Sequence, residues 1–147
     1  MKVTMLLADS AQAVEGKLYI LGGGWSVTGP PSPFAIALKV DVPWDEGNRK
    51  HTMKLALFDE DGKPFTVPTP AGDRPMEIQG EFETGRPAGI KPGTPLDAPL
   101  AINFSALPFR PDSRYVWKLW INGKTHDDWQ LAFTTRPVDQ PVQPRSS

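Results

Sequence analysis

Apolar and polar residues alternate with period two along most of this chain, which predicts short strands in place of helices. The clearest run sets Phe34, Ile36, Leu38, Val40 and Val42 against Ala35, Ala37, Lys39 and Asp41. One face of that strand is expected to be buried and the other partly wet. The same reasoning predicts strands over 3–8, 17–21, 51–59, 76–83 and 99–107, with a short return strand over 64–67. Met53, Leu55 and Leu57 alternate with Lys54, Ala56 and Phe58, while Glu77, Glu81 and Glu83 share one face and need solvent or a basic partner. The most explicit stretch is 110–135, where two aromatic-rich runs flank Asn122-Gly123, the pair that best supplies the two positive φ angles of a type I′ turn. Tyr115, Trp117, Leu119 and Ile121 share the inward face there, as do Trp129, Leu131 and Phe133, and Trp120 falls on the opposite face beside Val116 and Lys118.

Turn chemistry punctuates these runs. The chain has 17 Pro and 13 Gly, about a fifth of its length, which suits many short strands joined by tight turns. Glu15-Gly16, the Pro-rich 29–33, the loop 43–48 and the acidic 59–63 read as turns or loops, and Gly85 to Asp97 as an extended loop. Gly22, Gly23 and Gly24 interrupt a strand, which marks a bulge, a bend or a close backbone approach. Strands at roughly 8 to 12-residue spacing predict an all-β fold: a single antiparallel β-sandwich of about eight strands, immunoglobulin-like or a related Greek key, over residues 1–136. The Pro/Asp/Ser turn leading into Tyr115 resembles the tyrosine corner of such sandwiches, in which the phenol bonds back to backbone a few residues upstream. Residues 137–147, Pro/Gln-rich and without apolar period, are expected to be a disordered tail.

Charge and composition narrow the partners. A formal net charge of −1, from 16 Lys+Arg against 17 Asp+Glu, provides no field for phosphate backbones, so no nucleic acid is expected. No apolar run approaches the length of a membrane span, and the N-terminal one is too short for a signal sequence, so no membrane is expected either. The chain has no Cys, which removes disulfides, thiolate nucleophiles and Cys-based metal sites and fits a reducing, cytoplasmic setting.

No constellation for catalysis stands out. The glycine run lacks the following helix start and the Gly-Lys-Ser/Thr of a phosphate loop. The acidic turn 59–62 lacks the alternating ligands of a calcium loop. His51 and His126 have no metal-ligand spacing, and no Ser lies in a Gly-x-Ser-x-Gly context. No catalytic, cofactor-binding or metal residue is therefore expected, and no cofactor. The five tryptophans are the unusual feature: Trp44 and Trp120, with Lys118, form the candidate interaction surface, while Gly22, Gly23, Gly24, Tyr115, Asn122 and Gly123 carry structural roles. The expected function is a non-enzymatic binding or structural module, a homo-oligomer or a partner of another protein, associating through sheet edges or aromatic outer faces. The alternatives are a glycan or small-ligand module using Trp44, Trp120 and the 85–97 loop as an aromatic shelf, and a hydrolase using His126 with Asp127 or Asp128.

The residues ADSAQAVEGKLYILGGGW (8–25), FAIALKVDVPWDEGNRKH (34–51) and LALFDEDGKP (55–64) resemble a family of short uncharacterised bacterial proteins. Its members open with Ala-Asp-x-Ala-Gln, Gly-Lys and Leu-Gly-Gly-Gly-Trp and continue with Val-Pro-Trp. The resemblance is close over about the first 65 residues and holds as a pattern beyond. It implies a compact bacterial protein and transfers no activity, cofactor or site residue.

Overall fold

A computed structural model describes residues 1–138; all of the expected tail beyond Val138 lies outside the described residues. The described residues are all-β, with twelve strands where the pattern predicts about eight. They are β1 (Lys2–Ala8), β2 (Ser10–Val14), β3 (Lys17–Leu21), β4 (Val27–Thr28), β5 (Phe34–Val42) and β6 (Lys50–Asp59), followed by β7 (Thr66–Thr69), β8 (Gly72–Pro75), β9 (Glu77–Glu83), β10 (Leu96–Phe104), β11 (Arg114–Ile121) and β12 (Gln130–Thr135). These form a three-stranded sheet β1-β5-β10, a five-stranded sheet β4-β12-β11-β6-β9 and two hairpins, β2-β3 and β7-β8. The expected single antiparallel sandwich is corrected on two points: there are four sheets, and β4 pairs β12 in parallel.

The two larger sheets share one core. Leu7, the five alternating apolar residues of β5, and Leu96, Ala98 and Phe104 of β10 meet Met53, Leu55, Leu57, Trp117, Leu119 and Phe133 from the facing sheet. Trp117 is fully buried, with its ring centroid 5.1 Å from Phe104 and 6.4 Å from Phe34. Strand β10 starts at Leu96, ahead of the predicted 99, because Leu96, Ala98 and Leu100 continue the inward pattern opposite Val42, Val40 and Leu38. Pro99 is tolerated on this strand because β10 has a neighbour on one side only.

The outer face of β5 departs from the expected partly wet surface. Ala35 and Ala37 are buried because the β2-β3 hairpin lies across them, with Ala11 of β2 in contact and Leu18 of β3 and Ala101 of β10 packed alongside. The side chain of Asn103 clamps the hairpin: its amide donates to the Ala11 carbonyl at 2.9 Å, and its Oδ1 accepts from Ala11 N at 3.3 Å. Residues 10–14 read as a lead-out in the sequence. They form a strand because they pair with β3 along their whole length and Ala11 is small enough to lie over the alanines of β5. The predicted return strand over 64–67 overlaps β7, but its hairpin partner β8 is absent from the periodicity. The hairpin is closed by the Thr69 hydroxyl, which donates to the Gly72 carbonyl at 2.5 Å and accepts from Ala71 N at 3.3 Å.

Farther along β5, where the hairpin no longer covers it, Lys39 Nζ lies 3.1 Å from Asp41 Oδ1 and 3.0 Å from Asp97 Oδ1. Hydrogen bonding to Asp97, then to Asp41, holds the ammonium pKa above its ordinary 10.5. A raised folded pKa gives stabilisation that is complete below 10.5 and disappears as pH rises through the higher folded value. Solvent screening keeps the effect small, since the Lys39 side chain is 43% exposed. Denaturant melts taken from about pH 9 to about pH 12 should therefore show a slightly steeper loss of stability for the parent than for Lys39→Met; parallel profiles would contradict the linkage.

Candidate functional site

The outer face of the five-stranded sheet is where exposed chemistry concentrates. The register of β11 on β6 sets Trp120 opposite Lys54, Lys118 opposite Ala56 and Val116 opposite Phe58, all on the side away from the core. Lys54 Nζ sits 4.4 Å above the Trp120 ring, Lys118 Nζ sits 5.1 Å above the Phe58 ring, and the two rings tilt against each other at 6.1 Å. Both rings are half-buried, and each presents its π face to a cation, which fixes the long lysine stems over apolar surface. The adjacent edge strand β9 carries Glu77, Gln79 and Glu81 on the same side, opposite Ala56, Lys54 and Thr52. Among the described residues the ion pairs within 4.0 Å are those of Lys39, so Lys54, Lys118, Glu77 and Glu81 share this face without joining one another. The result is a flat sheet face with an aromatic centre, a basic half and an acidic edge.

Of the predicted interaction residues, Trp120 and Lys118 belong to this face and Trp44 does not. Trp44 lies in a short 3-10 turn, Trp44–Glu46, packed against the core, with the Arg86 guanidinium 5.3 Å above its ring. Arg86 Nε also donates to the Trp44 carbonyl at 2.9 Å, which ties the 85–97 loop to that turn. Trp44 thus packs against the core while Trp120 lies on the outer side of β11, and no ring contact joins the two among the described residues. His126 stands edge-on to Trp129 at 4.4 Å. Among the described residues no group of three or more His, Cys, Asp or Glu is placed to hold a metal ion. Sequence reading missed Lys54 and Phe58 as members of the site, although it put both on the outer face of their strand. The signal that finds them is the cross-strand register, which alternation within one strand does not contain.

The residues with predicted structural roles are placed as follows. Asn122 and Gly123 have φ of 52° and 77°, and Ile121 and Lys124 exchange both backbone hydrogen bonds around them, closing a two-residue turn. The Asn122 side chain adds a bond from Thr52 N at 3.0 Å and another to His51 Nδ1 at 2.9 Å. Past Lys124 the chain bulges through 125–129 and rejoins at Gln130 opposite Lys118. Gly22 has φ of 60°, and a side chain there would run into Asp9; Gly24 N donates to the Leu7 carbonyl at 2.7 Å as the run turns back over β1. Tyr115 is buried, and its hydroxyl accepts from Arg110 N at 2.9 Å, five residues upstream.

Fold and surface together define an all-β protein whose two larger sheets share one core and whose five-stranded sheet has an aromatic and charged outer face. A family model described as "Family of unknown function (DUF6941)" matches residues 3–134, and the chain belongs to that family. No curated protein matches it. Among the described residues no helix is long and apolar enough to cross a membrane.

Proposed function

We propose that this protein is a non-enzymatic binding or structural module on an immunoglobulin-like Greek-key sandwich, and that it self-associates through the outer face of its five-stranded sheet. The fold assignment is supported by the shared core of the two larger sheets and by the Tyr115 to Arg110 hydrogen bond, which has the form of a tyrosine corner. The single observation that carries the association is the juxtaposition on one face of Lys54 and Lys118, held on Trp120 and Phe58, with Glu77 and Glu81, which form no ion pair among the described residues. Such a face is self-complementary. A two-fold axis through its centre brings the basic half of one copy against the acidic edge of the other and covers the aromatic centre. The absence of Cys from the chain supports a reducing, cytoplasmic setting.

Light scattering across a concentration series tests this. The mass should rise from 16.2 kDa toward twice that value, and Lys118→Glu should raise the dissociation constant at least ~10-fold, equivalent to about 1.4 kcal/mol. Pairing Lys118→Glu with Glu81→Lys should restore association. A strict monomer from micromolar to near-millimolar concentration removes the proposal.

A further inference from the structure

A second, chemically different feature lies at the end of the molecule where β10 crosses to β11 and β12 terminates. A depression of about 340 Å³ is walled by Pro30, Pro31, Phe109, Pro111 and Pro137 and flanked by Arg110 and Arg136. Among the described residues Arg110 and Arg136 are its charged lining. Among the described residues neither guanidinium lies within 4.0 Å of a carboxylate. The Arg136 guanidinium rests over Gly29, with Nη1 3.5 Å from where a side chain at that position would begin. Each arginine also borders a neighbouring depression that holds carboxylates: Arg136 lines one with Glu60, Asp112 and Arg114, and Arg110 lines another with Asp59, Glu60 and Asp61.

The backbone of both arginines is pinned at each end. Arg110 N donates to the Tyr115 hydroxyl at 2.9 Å, and the Arg110 carbonyl accepts from the Thr135 hydroxyl at 2.6 Å. Arg136 N donates to the Thr28 carbonyl at 2.9 Å, and the Arg136 carbonyl accepts from Asp112 N at 3.0 Å. The tyrosine corner thus does more than close the sandwich: together with Thr135 it holds one wall of a preformed recess, so little ordering remains to be done on binding.

We infer that this recess binds an apolar monocarboxylate, the aliphatic or aromatic body against the proline and Phe109 walls and the carboxylate between Arg110 and Arg136. Proline rings and a phenyl ring present apolar surface with no hydrogen-bond donors, which suits a hydrocarbon body. The planar donor fork of arginine matches a carboxylate in geometry and charge. A free acid and the C-terminal residue of a peptide both have this chemistry.

Calorimetric titration of the full chain tests the site with 4-phenylbutyrate, the uncharged 4-phenylbutanol, inorganic phosphate, and a peptide ending in Phe with a free or an amidated terminus. Phenylbutyrate should bind with a dissociation constant below ~1 mM, and the alcohol and phosphate at least ~10-fold more weakly. Arg110→Gln and Arg136→Gln should each weaken phenylbutyrate by about 10-fold, and Arg114→Gln, outside the recess, should leave it unchanged. Thermal melts of the three variants should coincide with the parent, since these exposed side chains make no hydrogen bond within the described fold. Tighter binding of the free-terminus peptide than of phenylbutyrate assigns the ligand to chain ends, and the reverse assigns it to a free acid; both support the site. Equal binding of acid and alcohol, of acid and phosphate, or of parent and the Arg110 or Arg136 variant overturns it, as does no phenylbutyrate binding at millimolar concentration.

Discussion

Truncating Trp117 to alanine is expected to cost about 3–5 kcal/mol, the range for removing a large buried aromatic. The indole has no exposed surface and lies at the meeting point of the two sheets, against Phe104 and Phe34. Domain stabilities run to only about 5–15 kcal/mol, so the variant should sit near its unfolding threshold at ambient temperature. Among the described residues the buried indole N–H has no hydrogen-bond partner, so there the ring supplies packing and no polar anchor. Trp117→Phe keeps the aromatic contacts and removes the unpartnered donor, and its loss should be less than half that of the alanine variant. Urea melts of both variants check this. Equal losses would mean that the N–H is satisfied after all, or that the cavity left by alanine collapses.

Enlarging Ala35 to leucine should cost about 1–3 kcal/mol, the range for overpacking a close-packed contact. Ala35 is fully buried beneath the β2-β3 hairpin, which reaches the sheet only because its neighbours Ala11 and Ala37 are equally small. The added atoms have nowhere to go without lifting the hairpin and breaking the paired bonds between Asn103 and Ala11. Amide exchange should show the damage locally: protection should fall across β2 and β3 and remain in β6, β11 and β12. Uniform loss of protection, or none, would mean that the hairpin is not held by this seam.

The sequence located most of the strands that build the core. Phe34 to Val42 occupies the predicted span because its inward residues are branched or aromatic and its alternation is unbroken. Asn122-Gly123 turns where predicted, since few other dipeptides accept two successive positive φ angles. The two hairpins were only partly legible: the strand over 17–21 and its Glu15-Gly16 turn were predicted, and the return strand over 64–67 overlaps β7, but their partner strands were not. Ser10 to Val14 and Thr66 to Pro75 carry little apolar alternation, and what holds them is Asn103 in one case and the Thr69 hydroxyl in the other. Half of the outer-face site was legible as Trp120 and Lys118. Lys54 and Phe58 complete it only through register, and Trp44 left it because Arg86 and the core engage its ring elsewhere.

Alternation and turn residues thus marked the protein as all-β and told which side of the alternating strands faces the main core, because both are local properties of a pleated backbone. They could not tell what lies on the other side. Whether Ala35 and Ala37 meet water or a hairpin, whether Trp120 stands alone or under a lysine, and whether Arg110 and Arg136 face one recess are relations between residues distant in the chain. Long-range packing sets those relations, and only the tertiary structure shows it.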